Sequence, residues 1–226
     1  NGLFIFVLVV FSLLKVYSLS LNADMGWDSS VYFGMGKYAY SNGNSGLWEA
    51  SRPLVLPLIL GFFWKIGLDF VFIGKLAAFL FSIGGVLLTY LIFSKLFSRE
   101  MGFYASLFLA FSPTYFFFSD VPLTEIPSAF FLLLGLFFYI NGRNNLSGFF
   151  LGVSIMTRFF VIFAVMPIVL IGGYLTYKRR LNLNSFIGFL LSFMFPIISF
   201  IAVNFYLYGN WAYPFVLQAF MTRFTG

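Results

Sequence analysis

Apolar residues in this chain come in long unbroken runs. Runs of roughly 17 to 25 residues recur from end to end, the length an α-helix needs to cross a hydrocarbon core about 30 Å thick. They show no period of two, so helices are favoured over the strands of a barrel. The first covers Leu3 to Leu19, with no basic residue before it and no small-residue cleavage pattern after it, and so reads as a retained span rather than a signal peptide. The later runs are about Phe70 to Phe93, Met101 to Phe118, Pro122 to Ile140, a shorter one over Leu146 to Thr157, then Phe159 to Tyr177 and Ser185 to Tyr208. This pattern predicts an all-α polytopic integral membrane protein of about seven transmembrane helices, residues 1–226 forming a single transmembrane domain. The chain opens at Asn1 without a Met and stops at RFTG just after an amphipathic stretch, which reads as a protein truncated at its C-terminus.

One long polar interruption stands near the start, in DMGWDSSVYFGMGKYAYSNGNSGLWEASRPLVLPLIL. It carries Asp24, Asp28 and Glu49, three of the seven acidic residues in the chain, with Lys37, Arg52, Trp27 and Trp48. Asp28 to Tyr40 predicts a helix lying in the membrane interface, with Val31, Met35, Tyr38 and Ala39 on one side. Asp28 then has a plain reading as the N-cap of that helix. Pro53 to Gly67 is apolar but only about 15 residues long and holds two prolines, so a dipping or partial helix is predicted. Residues 21–69 thus form an external loop with interfacial and partial helices.

Composition agrees. With 61% hydrophobic residues, 9% charged and a mean hydropathy of +0.97, the chain lacks the polar surface of a dissolved globule. It has no cysteine and no histidine, which excludes disulfides, thiolate sites and imidazole metal sites. The net charge of +6 is the usual consequence of Lys and Arg in cytoplasmic loops and does not argue for nucleic acid. Threaded with the first loop outside and Pro53 to Gly67 not crossing, Lys95, Arg99, Arg143 and the Lys178, Arg179, Arg180 turn fall on the cytoplasmic side. Asp24, Asp28, Glu49, Asp120 and Glu125 fall on the opposite side with Arg52, Arg158 and Arg223. Glu100 is the firmly cytoplasmic acid, and Lys75 fits poorly, inside the outer end of a span.

Ionisable groups near bilayer depth are expensive and point to function. Asp120 and Glu125 stand in FSDVPLTEIPSAFF, where Pro122 and Pro127 interrupt the helical pattern at the head of a span. A carboxylate there can accept a proton, hold a divalent cation such as Mg or Mn, or sit at a helix N-terminus where the dipole favours it. Arg158, in GVSIMTRFFV, reads either as an interfacial anchor or as a guanidinium clamp on phosphate, and Arg52 before Pro53 allows the same two readings. Trp27 and Trp48 either belong to an aromatic belt or offer faces on which sugar rings stack. No Gly-rich phosphate loop, serine nucleophile elbow or Walker pattern occurs.

The order of these features resembles the GT-C membrane glycosyltransferases, and within them the protein mannosyltransferase and lipid A aminoarabinose transferase group. The resemblance rests on an external loop with an Asp before an interfacial helix, then SRPLVLPLILGFFWKIG, a span ending KLFSRE, FSPTYFFFSD before TEIP, and LSGFFLGVSIMTRFFVIFAVMPIVL. It covers nearly the whole chain, but only what would be the N-terminal half to two-thirds of such an enzyme. It implies inverting transfer of a sugar from a polyprenyl- or dolichyl-phosphate carrier to a lipid, glycan or protein acceptor, on the extracytoplasmic face of a plasma or ER-type membrane. By position, Asp28 matches the family's loop Asp, the general base on the acceptor hydroxyl. Glu125 matches the acid of the second loop, where Asp is more usual, and Arg158 the basic residue near the lipid phosphate. Glu49, Asp120, Arg52 and Trp48 join them as candidate substrate and lipid-phosphate contacts. Where the family often has Glu-Lys-Pro-Pro, this chain reads Ser51, Arg52, Pro53, Leu54, so a metal site built on that Glu has no counterpart. The rival classes are a transporter, which would place its charges near mid-bilayer, and a non-catalytic membrane subunit, in which the loop acids would be dispensable.

Overall fold

The computed structural model describes residues 2–20 and 26–224; Asp24 lies outside them. All regular structure among the described residues is helical. In chain order the helices are α1 (Gly2–Ser20), α2 (Trp27–Tyr40), α3 (Val55–Lys65), α4 (Phe70–Leu96), α5 (Arg99–Phe111), α6 (Pro113–Phe118), α7 (Glu125–Ile140), α8 (Asn144–Thr157), α9 (Ile162–Tyr177), α10 (Leu183–Tyr208) and α11 (Tyr213–Phe224). A single 3₁₀ turn, Phe159–Val161, leads into α9. Three stretches, Val71–Leu96, Phe159–Tyr177 and Leu183–Tyr208, are long and apolar enough to cross a membrane unaided. Gly2–Ser18, Val55–Lys65 and Glu125–Ile140 are shorter apolar helices. The 11 residues of α3 rise about 16 Å, roughly half a hydrocarbon core, in keeping with a partial helix.

Local chemistry sets the boundaries. Asp69 caps α4 by accepting from the Phe72 N–H at 2.8 Å, and Ser98 caps α5 through the Met101 N–H at 3.2 Å. The apolar run from Met101 to Phe118 predicts one span, but the structure breaks it into α5 and α6. Pro113 supplies no N–H and pushes Ser112 into an extended conformation (φ −65°, ψ 132°), and the Ser112 hydroxyl then accepts from the Tyr115 N–H at 3.4 Å. Pro127 does the opposite of what the sequence pattern suggests. It falls within the first turn of α7, where a missing N–H costs nothing, and the helix runs on uninterrupted. The tight turn from α7 into α8 passes through Gly142 at φ +71°, with Arg143 N–H bonding back to the Phe138 carbonyl at 2.9 Å.

Small residues let the helices approach. A Cβ on Gly36 would lie 2.6 Å from the Pro57 carbonyl oxygen and 2.9 Å from the Gly61 Cα, so α2 and α3 cross with their backbones in contact. Gly148 and Gly152, a G-x-x-x-G pair, do the same for α8 against Phe189 and Phe193 of α10. One apolar cluster joins α1, α4, α5, α6 and α7 around Phe11, Val86, Ala110 and Ile126. A second joins α8, α9 and α10 around Leu151, Val165, Phe189 and Phe200. Ser154 of α8 stitches the two together by donating to the Ser128 carbonyl of α7 at 2.7 Å. Buried Ser82, Thr89 and Ser106 donate to carbonyls in the preceding turn of their own helices, which satisfies them without water. Large side chains such as Phe108, Phe163 and Leu191 point outward, an apolar surface suited to lipid.

The polar residues collect at two opposite ends of this bundle. At one, Lys95 at the foot of α4 donates to Asn141 at 2.6 Å, and Asn144 at the start of α8 donates to Ser185 at the start of α10 at 2.5 Å. At the other lie the C-terminal ends of α1, α8 and α10, the start of α7, and the α2–α3 hairpin.

Candidate functional site

Arg52 is the hub of the α2–α3 hairpin. Its Nη2 donates to Asp28 Oδ1 at 2.7 Å, its Nε to Glu49 Oε1 at 3.0 Å and its Nη1 to the Tyr32 hydroxyl at 3.3 Å. Ser51 donates to the same Glu49 oxygen at 3.0 Å. Burial alone would lower the Arg52 pKa, but hydrogen bonds with Tyr32, Asp28 and Glu49 outweigh it and hold the guanidinium above its ordinary value. Arg52 is therefore held as a cation between its two carboxylates. Its partners differ in exposure: Glu49 is 27% exposed, while Asp28 is 52% exposed.

The helical reading of residues 28–40 holds, but the N-cap reading of Asp28 does not. Gly26 occupies the cap position without a side-chain bond, and Asp28 sits inside the first turn with its carboxylate turned to Arg52. Tyr32 lies one helical turn on from Asp28, which is why both reach the same guanidinium.

The second group is built on the start of α7 and the end of α8. Glu125, in the first turn of α7, forms an ion pair with Arg158, the residue that ends α8. Arg158 Nη1 also reaches the Thr124 hydroxyl at 3.5 Å. Both members are about one-third exposed. The two groups are neighbours through packing. Leu123 lies against Tyr32, Phe33, Leu56 and Leu60 of the hairpin, and Leu54 and Val55, which follow Arg52, pack on the cluster holding Met156. Met156, Phe159 and Phe160, sequence neighbours of Arg158, line an open apolar groove of about 510 Å³ together with Ile197 and Phe215. A smaller one of about 260 Å³ runs between Leu58, Phe149 and Val203.

Asp120 belongs to neither group. It accepts from Lys15 of α1 at 3.3 Å and from the Ser18 hydroxyl, while the Lys15 ammonium sits 3.8 Å from the centre of the Phe116 ring. Lys15 is 2% exposed and Asp120 13%. The sequence reading overlooked Lys15, although a single cation inside the apolar run from Leu3 to Leu19 is itself a signal. Trp48 donates its indole N–H to Tyr208 at the end of α10 and lies 5.6 Å from the Tyr38 ring, so it fastens the hairpin to the bundle. Trp48 thus has aromatic neighbours beside its ring, whereas Trp27 is exposed.

A divalent cation fits this donor set poorly. Asp28 and Glu49 are the two carboxylates that converge, and the guanidinium of Arg52 already stands between them as their counter-charge. Among the described residues no group of three or more acidic, His or Cys side chains gathers.

The chain is thus an all-helical protein with helices apolar enough to cross a membrane, and it holds ion-paired carboxylates and arginines at one end of its bundle. Residues 51–206 match the sequence model of the dolichyl-phosphate-mannose-protein mannosyltransferase family, and the chain belongs to that family of membrane glycosyltransferases. The matched segment includes Arg52, Asp120, Glu125 and Arg158, and begins just after Trp48 and Glu49. No curated relative and no solved structure matches the chain.

Proposed function

We propose that this protein transfers a sugar from a polyprenyl- or dolichyl-phosphate carrier to an acceptor hydroxyl, with inversion, on the extracytoplasmic face of the membrane. The observation that supports it most is the gathering of Asp28, Glu49 and Arg52 with Glu125 and Arg158 at one end of an otherwise apolar bundle. A hydroxyl acceptor needs a base, and without histidine that base is a positioned carboxylate. Asp28, the most exposed of the paired acids, takes the proton as the acceptor oxygen attacks the sugar's anomeric carbon. The bond to the carrier phosphate breaks with its electron pair on the phosphate. That leaving group needs cationic stabilisation more than protonation, and Arg158 supplies it, with the isoprenoid chain in the groove lined by its sequence neighbours Met156, Phe159 and Phe160. Arg52 orients Asp28. The family description favours mannose as the sugar and a protein as acceptor.

In this reading α1, α4, α5 with α6, α7, α8, α9 and α10 make seven crossings, and α2 and α3 lie in the outer interface. Single-cysteine labelling, simple in a chain without cysteine, is expected to find positions 28, 125 and 211 accessible from outside and position 179 from inside. Labelling of 28 and 125 from different sides would overturn the arrangement.

Arg158→Gln is expected to weaken binding of a polyprenyl-phosphate sugar about tenfold or more at unchanged expression, the usual scale for losing a charge-assisted bond to phosphate. Binding measured on detergent-solubilised protein tests this. Equal affinity in the variant would return Arg158 to the role of interfacial anchor.

A further inference from the structure

The Arg158 guanidinium, which the proposed function assigns to the donor phosphate, forms an ion pair with Glu125. We infer that Glu125 is a stand-in for that phosphate: its carboxylate holds the anion seat on Arg158 when the carrier is absent, yields it when the carrier enters, and reclaims it to expel the spent carrier. This rests on the proposed function and specifies how its donor site is loaded and cleared.

Three features of the site support it. The surroundings favour an anion there, since Glu125 lies in the first turn of the 16-residue α7, whose N-terminal dipole is positive and favours negative charge. The occupant is exchangeable. The pair is about one-third exposed on both sides, and exposed ion pairs contribute little net stability, so a phosphate presenting several oxygens to the guanidinium fork can displace a carboxylate. Apolar surface adjoins it in the chain: Met156, Phe159 and Phe160, which flank Arg158 in sequence, line an open groove that can take an apolar chain. Glu49 on Arg52 is different, since it is fixed as well by Ser51 and by the short separation in sequence.

The step of transfer makes the exchange useful. When the bond from the anomeric carbon to the phosphate breaks and the bond to the acceptor oxygen forms, the acceptor proton goes to Asp28 and the electron pair leaves with the phosphate. The product is a phosphate monoester, more negative than the diester that entered, and it would cling to Arg158. Glu125, tethered one side chain away, competes for the same cation at high local concentration. Loss of its charge therefore strengthens carrier binding and slows release, whereas loss of a base slows the chemistry and leaves product affinity alone.

The test is the affinity of sugar-free polyprenyl phosphate for the protein in nanodiscs, with phosphatidic acid as the comparison lipid. Glu125→Gln is expected to bind polyprenyl phosphate about two- to fivefold tighter than wild type, the scale of a removed exposed ion-pair competitor. Glu125→Ser should do the same, should the glutamine variant fold poorly. Asp69→Asn, which removes an acid elsewhere and still caps α4, is expected to leave the affinity unchanged. If Glu125→Gln binds no tighter while Arg158→Gln still weakens binding, the stand-in role is wrong and the donor site stands. Equal tightening by Asp69→Asn would also overturn it, by reducing the effect to overall charge. If wild type binds polyprenyl phosphate no better than phosphatidic acid, the assignment of the donor site itself falls.

Discussion

Asp28→Asn is expected to lower sugar transfer about 10²-fold or more at unchanged protein level, the usual scale for loss of a general base. The substitution is selective because of where Asp28 lies. Asn keeps the size and leaves an amide oxygen to accept from Arg52 Nη2, which Asp28 does at 2.7 Å. No helix cap is lost, because Gly26 and not Asp28 holds that position. The ion pair itself is half open to solvent on the Asp28 side, so losing its charge costs at most about 1 kcal/mol of stability. A fall in turnover that large therefore reports chemistry rather than folding. Near-normal turnover would confine Asp28 to steadying Arg52 and move the base elsewhere among the loop acids.

Lys15→Met is expected to destabilise the protein by about 3–5 kcal/mol, since it strands the Asp120 carboxylate in a nearly closed site. The reverse is the informative control. Lys15→Met with Asp120→Leu removes both charges and fills the site with apolar groups that the surrounding Phe116 accepts, so most of the loss should return. Unfolding in detergent, followed for both variants, measures this. If Lys15→Met alone left stability unchanged, the pair would be no tether between α1 and the loop leading into α7. A double variant as unstable as the single one would mean that Lys15 acts through contacts other than Asp120.

The helical architecture could be read from the sequence because membrane helices announce themselves in hydropathy, and α2, α4, α7 and α10 begin and end within a few residues of the expected points. The exceptions have local causes. Residues 101–118 divide at Pro113, whose effect on Ser112 is a backbone matter that hydropathy does not register. Pro127 is harmless because it falls in a first turn. The site was legible as an inventory of scarce charges but not as a set of pairs. Asp28 and Arg52 are 24 residues apart, Lys15 and Asp120 105, and Trp48 and Tyr208 160. No helical or strand period links residues at such separations, so only the packing of α1, α10, the loop before α7 and the hairpin brings them together. Lys15 shows the limit most sharply: an isolated cation in an apolar run signals a partner without naming it.

Sugar transfer itself is the most direct test. The protein is placed in liposomes with polyprenyl-phosphate mannose and a hydroxyl-bearing peptide. The expected result is mannose on the peptide with the anomeric configuration opposite to that in the donor, polyprenyl phosphate released in equal amount, and both lost in Asp28→Asn. Donor left unconsumed, or mannose transferred with its configuration retained, would contradict a site in which Asp28 activates the acceptor and Arg158 receives the departing phosphate.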